Sequence, residues 1–365
     1  MYNSRCYLAR LLLFALLVGN CPSRASICDF STVDLAVENL LQLNPQIPGV
    51  GLQIGYSDEV IYKKYWGQYN NNTIVPLASA TKLLSGVVIM AMIDEGLIEL
   101  GQPVSTYLPQ FSGIKGQMTI RQMFSHTAGM PTNNLLVNSS VLNAFNGLTL
   151  AQAVDILACC EPLLYQPSEG FAYGGSSMHI AGRVAEVVSE SSWIDVFNQY
   201  LATPLGITSM DYSGLGTTQN YRIAGGARSS LPDYAKVLNM LLNIGRYQST
   251  RVLSEQAVST IITDNIEDLD IVYSPPQINT EVRYGIGSWL RLNDDGTTIG
   301  LFSPGAFGFT PWVDYDLNYY AAFMVKDSNT RMAPLVSEIR EKIRLILTDN
   351  WCGTDEIFVN GFEGS

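Results

Sequence analysis

Strand-like patterns occur twice in this chain, separated by a long run of helical ones. Val50-Gly51-Leu52-Gln53-Ile54-Gly55-Tyr56 meets a polar turn at Ser57-Asp58-Glu59, and Val60 to Tyr65 returns, as in a hairpin. The strand period reappears only near the end. There Tyr284–Leu292 and Thr297–Phe302 flank Asn293-Asp294-Asp295-Gly296, and Phe307–Val313 and Tyr319–Val325 flank Asp314-Tyr315-Asp316. Between about 97 and 270 the segments read as helices joined by Gly/Pro/Ser turns: Ile120–Phe124, Leu150–Ala158, Met178–Val188 and Leu231–Ile244, the last capped by Ser230 with Asp233. Ser31 is the expected cap of a first helix to about Leu43, with Leu35, Val37, Leu40 and Leu41 inward, and Met332–Leu347 is a closing helix. Helix, strands, helices, strands, helix is the order of one α/β sheet domain with a helical region inserted in its middle.

The N-terminus has a different composition. Arg5 and Arg10 precede the apolar run Leu11–Val18, and Ser23-Arg24-Ala25 offers small residues at a cleavage site. Residues 1–25 are therefore expected to be a signal peptide, too short for a membrane span, and the protein to be secreted or periplasmic. A lipoprotein reading at Cys21 is disfavoured by Asn20. Cleavage would remove three Arg and no acid, moving the formal charge from −12 to −15. So acidic a chain repels nucleic acid and anionic membrane surfaces, and neither is an expected partner. Four cysteines would remain, Cys28, Cys159, Cys160 and Cys352, which permit three connectivities or plain buried thiols. No CxxC or His-Cys spacing points to a metal, and with only His126 and His179 no cofactor is expected.

Ser79-Ala80-Thr81-Lys82 opens the apolar run Leu83–Ile93, which ends at Gly96. A Ser and a Lys three apart at the mouth of a helix share one face, one turn apart. The amine can then take the hydroxyl proton beside the helix's unpaired N–H groups, the geometry of an activated nucleophile. Four residues of this kind also arise by chance, as a Ser near an N-cap with an incidental Lys.

The surroundings are more specific. Ile74–Lys82, Asp94-Glu95-Gly96, Pro103–Pro109 and Thr119–Pro131 form a first block, and Phe171-Ala172-Tyr173-Gly174-Gly175-Ser176 a second. Ala224–Ser230 is a third and Ser303-Pro304-Gly305-Ala306-Phe307-Gly308 a fourth. In this order the blocks resemble the penicillin-recognising serine hydrolases close to class C β-lactamases, a group with D-alanyl-D-alanine carboxypeptidases, D-aminopeptidases and β-lactamase-like esterases. The likeness runs from about Pro48 to Thr348. It implies an antiparallel sheet flanked by the N- and C-terminal helices, a hydrolase domain over 26–350 and a peripheral tail at 351–365. It implies Ser79 as nucleophile, with Lys82 and Tyr173 as general base and acid. Oxyanion and substrate contacts would come from the N–H groups of Ser79 and Ala306, with Ser303, Gly305 and Gly175 facing the substrate. Either Lys82 is neutral, or it lowers the Tyr173 pKa. Outside the family Tyr173 would read as a packed core aromatic.

Two positions depart from the pattern. Gly175 replaces the Asn of Y-x-N, and Ser303 replaces the Lys or His that opens the last element. The first removes an amide and the second a cation, both used on β-lactam and peptide substrates. Ser176 and Arg228 are candidate substitutes, each also readable as a surface residue. His126 lies in a His-Thr-x-Gly landmark and reads as structural, since no G-x-S-x-G elbow accompanies it; His179 reads as a satisfied, half-buried helix residue. The expectation is a monomeric enzyme acting on a small-molecule ester or amide or a peptide, with a D,D-carboxypeptidase or β-lactamase as one alternative and a non-catalytic penicillin-binding-like module as another. In the implied fold the first and last helices pack side by side, which favours a Cys28–Cys352 bridge; a bridge between the neighbours Cys159 and Cys160 is strained.

Overall fold

The computed structural model describes residues 28–137, 139–142, 147–266, 268–276, 278 and 282–349. The expected signal segment, Cys352 with its expected bridge to Cys28, and the tail at 351–365 reach outside the described residues.

Six strands form one antiparallel sheet. β1 (Gly49–Tyr56) and β2 (Glu59–Gly67) are the hairpin, and β3 (Trp289–Leu292), β4 (Thr298–Phe302), β5 (Thr310–Asp314) and β6 (Tyr319–Met324) follow. Their order is β2-β1-β6-β5-β4-β3, so the N-terminal hairpin joins the C-terminal strands through β1 and β6, with Gly51 opposite Met324 and Tyr56 opposite Tyr319. Alternation along these central strands sorts the two faces. Val50, Leu52, Ile54 and Phe323 point to one side, where Val33 and Val37 of α1 (Ser31–Leu43) pack beside Ile339 and Ile343 of α6 (Asn329–Asp349). Tyr320, Ala322 and Met324 point to the other and belong to the core built with the helical region.

Three expectations about element ends change. Ser31 is the first helical residue of α1 rather than its cap: Phe30 occupies the cap position without a side-chain bond, and the Asp29 carboxylate before it accepts the Ser31 N–H at 2.8 Å. The inward stripe of α1 is Val33, Ala36 and Val37, which leaves Leu35 58% exposed. The strand expected from Tyr284 starts only at Trp289, because Ile286 and Gly287 cross the central helix: Gly287 donates to the Phe124 carbonyl at 3.0 Å, and a Cβ on Gly86 would stand 2.9 Å from the Ile286 oxygen. The strand expected from Phe307 starts at Thr310, after a turn in which Gly305 donates to the Phe309 carbonyl at 2.8 Å.

At the centre of the helical region lies α2 (Thr81–Asp94), buried at every position from Thr81 to Met92. The helices Glu255–Ile261 and Trp193–Phe197 pack on it, and α3 (Leu150–Cys160), α4 (Ser176–Ser189) and α5 (Leu231–Leu242) share its core, the last lying against β1, β5 and β6. Thr149 with Gln152 and Thr119 with Gln122 close capping boxes, and Ser230 accepts the Asp233 N–H at 3.4 Å. At the end of α3 Cys159 and Cys160 are bonded to each other, the neighbour pairing the sequence reading disfavoured. Among the described residues no helix is long and apolar enough to cross a membrane.

Candidate active site

Ser79 sits in one tight turn, Ala78–Ala80, that runs straight into α2. Its predecessor Ala78 is held in the left-handed region at φ 46°, a conformation that costs a residue with a Cβ and persists only under support. The segment 223–227 supplies much of that support. Leu77 donates to the Ala227 carbonyl at 2.8 Å, and the Ala227 N–H returns to the Thr81 hydroxyl at 3.1 Å. The Ser85 hydroxyl donates to the Ile223 carbonyl at 2.6 Å, and the Tyr234 phenol of α5 holds the Ala80 carbonyl at 2.7 Å.

Within this frame the Lys82 Nζ donates to the Ser79 Oγ at 3.3 Å and to the Ala224 carbonyl at 3.0 Å. Lys82 is 4% exposed, and among the described residues no carboxylate pairs with it. Burial, helped by the charge of Arg222, pulls its pKa down to about 7, so the amine is neutral in a large fraction of molecules near neutral pH. Tyr173 follows the short strand Gly170–Ala172, which pairs in parallel with Asp270–Tyr273. Its ring lies 4.5 Å from the Lys82 Nζ and stacks on Trp289 at 5.0 Å between centroids. Burial pushes the Tyr173 phenol well up, only partly offset by hydrogen bonding to Ser79 and Trp289, so it rests protonated.

His126 carries no charge here. Burial, then the Lys82 charge, hold it well below the usual histidine range. Its Nδ1 lies 3.5 Å from the donating Gly174 N–H, which leaves the Nε2 proton for the Tyr284 hydroxyl at 3.2 Å. Its ring packs 4.7 Å from Tyr173, and its carbonyl accepts the Ala172 N–H at 3.0 Å. His126 thus acts as a mount for Tyr173.

Ser79, Lys82, Tyr173 and Ala306 line one cavity of about 320 Å³, together with Asn133, Trp289 and Asn329. The other expected recognition residues sit behind its surface. Ser303 is buried, its hydroxyl turned to the Ser79 carbonyl at 3.3 Å. At Gly305 a Cβ would fall 2.0 Å from the Leu77 oxygen, so close packing against the nucleophile turn demands this glycine. Gly175 donates to the Asn133 Oδ1 at 2.8 Å, and a Cβ there would stand 3.3 Å from that oxygen. The Asn133 amide therefore lies beside the space that an asparagine side chain at 175 would enter. Neither expected substitute is free: Arg228 grips Asp211 through Nε (3.0 Å) and Nη2 (2.8 Å), and Ser176 donates to the Pro131 carbonyl. His179 is fully buried rather than half-buried, and burial drives its pKa to about 3. Among the described residues no cluster of His, Cys, Asp and Glu is spaced to hold a metal ion.

The family model described as Beta-lactamase matches residues 33–338. The chain belongs to the Beta-lactamase family.

A candidate beta-lactamase from Bacteroides dorei is 28% identical, with a TM-score of 0.77 over 86% of this chain and 98% of that one. EstCE1, a hydrolase with promiscuous acyltransferase activity, shares the fold at 18% identity and a TM-score of 0.69, over 86% and 98% of the two chains. A candidate D-alanyl-D-alanine carboxypeptidase of Escherichia coli strain K12 is 23% identical over 74% of this chain and 75% of its own. The family's fold is that of serine hydrolases. Sequence reasoning passed over Asn133, Trp289 and the Ala224 carbonyl. Ala224 opens the third block and had a signal in the sequence; Asn133 and Trp289 had none, because their roles depend on which loops meet.

Proposed function

We propose that this protein is an exported serine hydrolase that forms an acyl-enzyme on Ser79 and acts on an ester or small amide. The observation that carries the reading is the buried Lys82 amine, 3.3 Å from the Ser79 Oγ and with a pKa near 7. Neutral Lys82 takes the Oγ proton as Oγ attacks the acyl carbon, and the resulting oxyanion accepts from the N–H groups of Ser79 and Ala306. As the tetrahedral intermediate collapses, the bond to the leaving oxygen or nitrogen breaks, and that atom takes a proton relayed from Lys82 through the Tyr173 hydroxyl. Water then repeats the sequence on the acyl-enzyme, releases the acid and restores Ser79. Tyr173, protonated at rest, serves as the relay rather than as the initial base.

A second reading, an amide or D,D-peptide substrate, is favoured by Asn133, whose Oδ1 is occupied by Gly175 and whose Nδ2 is left as a donor at the cavity. The Escherichia coli relative agrees with it. Parallel kinetics on p-nitrophenyl butyrate, nitrocefin and a D-alanyl-D-alanine peptide separate the two. The ester should give the highest kcat/KM, and Ser79→Ala should abolish turnover of all three. A higher kcat/KM on nitrocefin overturns the ester preference, and activity surviving in Ser79→Ala overturns the mechanism.

A further inference from the structure

A second cavity, of about 700 Å³, adjoins the Ser79 pocket and shares Ile278, Pro304, Asn329 and Thr330 with it. Its walls are mainly apolar, with Phe302, Ala333 and Pro334 among them, and Arg340 of α6 lies in its lining. The guanidinium carbon stands 5.2 Å from the Phe302 ring centroid and 5.3 Å from that of Trp312, so the cation rests on two aromatic faces. Its Nε is sealed from solvent with no hydrogen-bond partner. Among the described residues no carboxylate comes within ion-pair distance of Arg340. The nearby buried acid, Asp314, is already held by Arg291 at 2.7 Å and by Arg344. Glu338 and Glu341 also line the cavity; Glu338 pairs with Lys342 at 3.4 Å, and Glu341 is exposed to solvent. A planar cation without an acceptor is costly to bury, and an anionic group entering the cavity would satisfy it in the bidentate geometry that guanidinium favours.

We propose that this cavity is a second compartment of the substrate site and that Arg340 binds a carboxylate borne on an apolar body. The proposal rests on the Ser79 reading for its connection to catalysis. It also relocates a function: the cation missing at Ser303 is replaced, for carboxylate recognition, by one beyond Pro304. Substrates of this class are half-esters or acyl amino acids whose free carboxylate lies several bonds from the scissile carbonyl. A cavity of this volume accommodates such a body.

Two measurements test it. Mono-p-nitrophenyl esters of dicarboxylic acids of increasing length are compared with neutral p-nitrophenyl esters of equal length, in the wild type and in Arg340→Met, which keeps apolar volume without charge. At the best chain length the charged-to-neutral kcat/KM ratio should fall at least about tenfold in Arg340→Met, the lower end for losing one charged hydrogen-bonded contact. A ratio unchanged at every length overturns the proposal. If Arg340→Met fails to fold, Ala333→Trp, which fills the cavity from the same face of α6 two turns before Arg340, should produce the same fall, and an unchanged ratio there counts against it equally. The second measurement needs no turnover. Calorimetry on full-length Ser79→Ala should show 4-phenylbutyrate binding, with 4-phenylbutanol at least about tenfold weaker. Equal affinities, or no binding of either, overturn the carboxylate site. A failure of ester hydrolysis with intact phenylbutyrate binding refutes the Ser79 reading instead.

Discussion

On the helix side of the pocket, Ser79 and Lys82 are locked by hydrogen bonds to the segment 223–227, and Tyr173 is clamped between His126 and Trp289. On the recognition side, Gly175 and Ser303 are turned to internal partners, and the groups that face the cavity there, Asn133 and Ala306, come from loops. The proton-transfer half depends on a buried, crowded environment, because burial is what lowers the Lys82 pKa. Neither departure, at Gly175 or at Ser303, removes a partner of the Lys82 amine, which keeps the Ser79 Oγ and the Ala224 carbonyl. Chemistry can be retained within one fold while the substrate changes.

The largest effect should come from breaking the helix side. Lys82→Ala and Tyr173→Phe should each lower kcat on p-nitrophenyl butyrate by about 10²–10⁴-fold, the usual worth of a positioned acid or base. Unchanged kinetics in Tyr173→Phe would leave proton transfer to Lys82 alone.

Next in size is the pH dependence. Protonated Lys82 cannot accept the Ser79 proton, so kcat/KM should rise with pH, by about tenfold per unit below the Lys82 pKa, and level off above about 7. His126, already neutral, and Tyr173, pushed upward, should not titrate in that range. A flat or falling profile through neutrality would show that the acting base is another group.

The smallest effect probes the recognition side. Ser303→Ala removes one neutral hydrogen bond to the Ser79 carbonyl, and kcat should drop by about fivefold, matching roughly 1 kcal/mol. A loss beyond about a hundredfold would place Ser303 at the reacting atoms rather than behind them.

Much of the scaffold was legible because it is encoded locally. The β1–β2 turn, the Ser230 cap and the Ser79–Lys82 spacing each lie within a few residues, whereas the Thr119 and Thr149 caps, equally local, were passed over. Features that join distant segments were not. The parallel pairing of Gly170–Ala172 with Asp270–Tyr273 unites two short stretches with no shared pattern, yet it sets the position of Tyr173. α2 was placed by its motif, but that it is buried on every side follows only from the assembled fold, and the neutral Lys82 follows from that burial. The inward stripe of α1 was misplaced at Leu35 because Val33, Ala36 and Val37 fit the helical period equally well. The Asn133 contact could not be read from Gly175, since the missing side chain is accommodated by another loop.

The account stands on Ser79 being the residue acylated, with Lys82 as its base. Intact-protein mass spectrometry after brief exposure to a fluorophosphonate, followed by peptide mapping, tests this most directly. A single adduct on the peptide containing Ser79, formed faster as pH rises through about 7 and absent in Ser79→Ala, is the predicted result. Adduct formation on another residue, or labelling of Ser79 that does not change across that pH range, would contradict it.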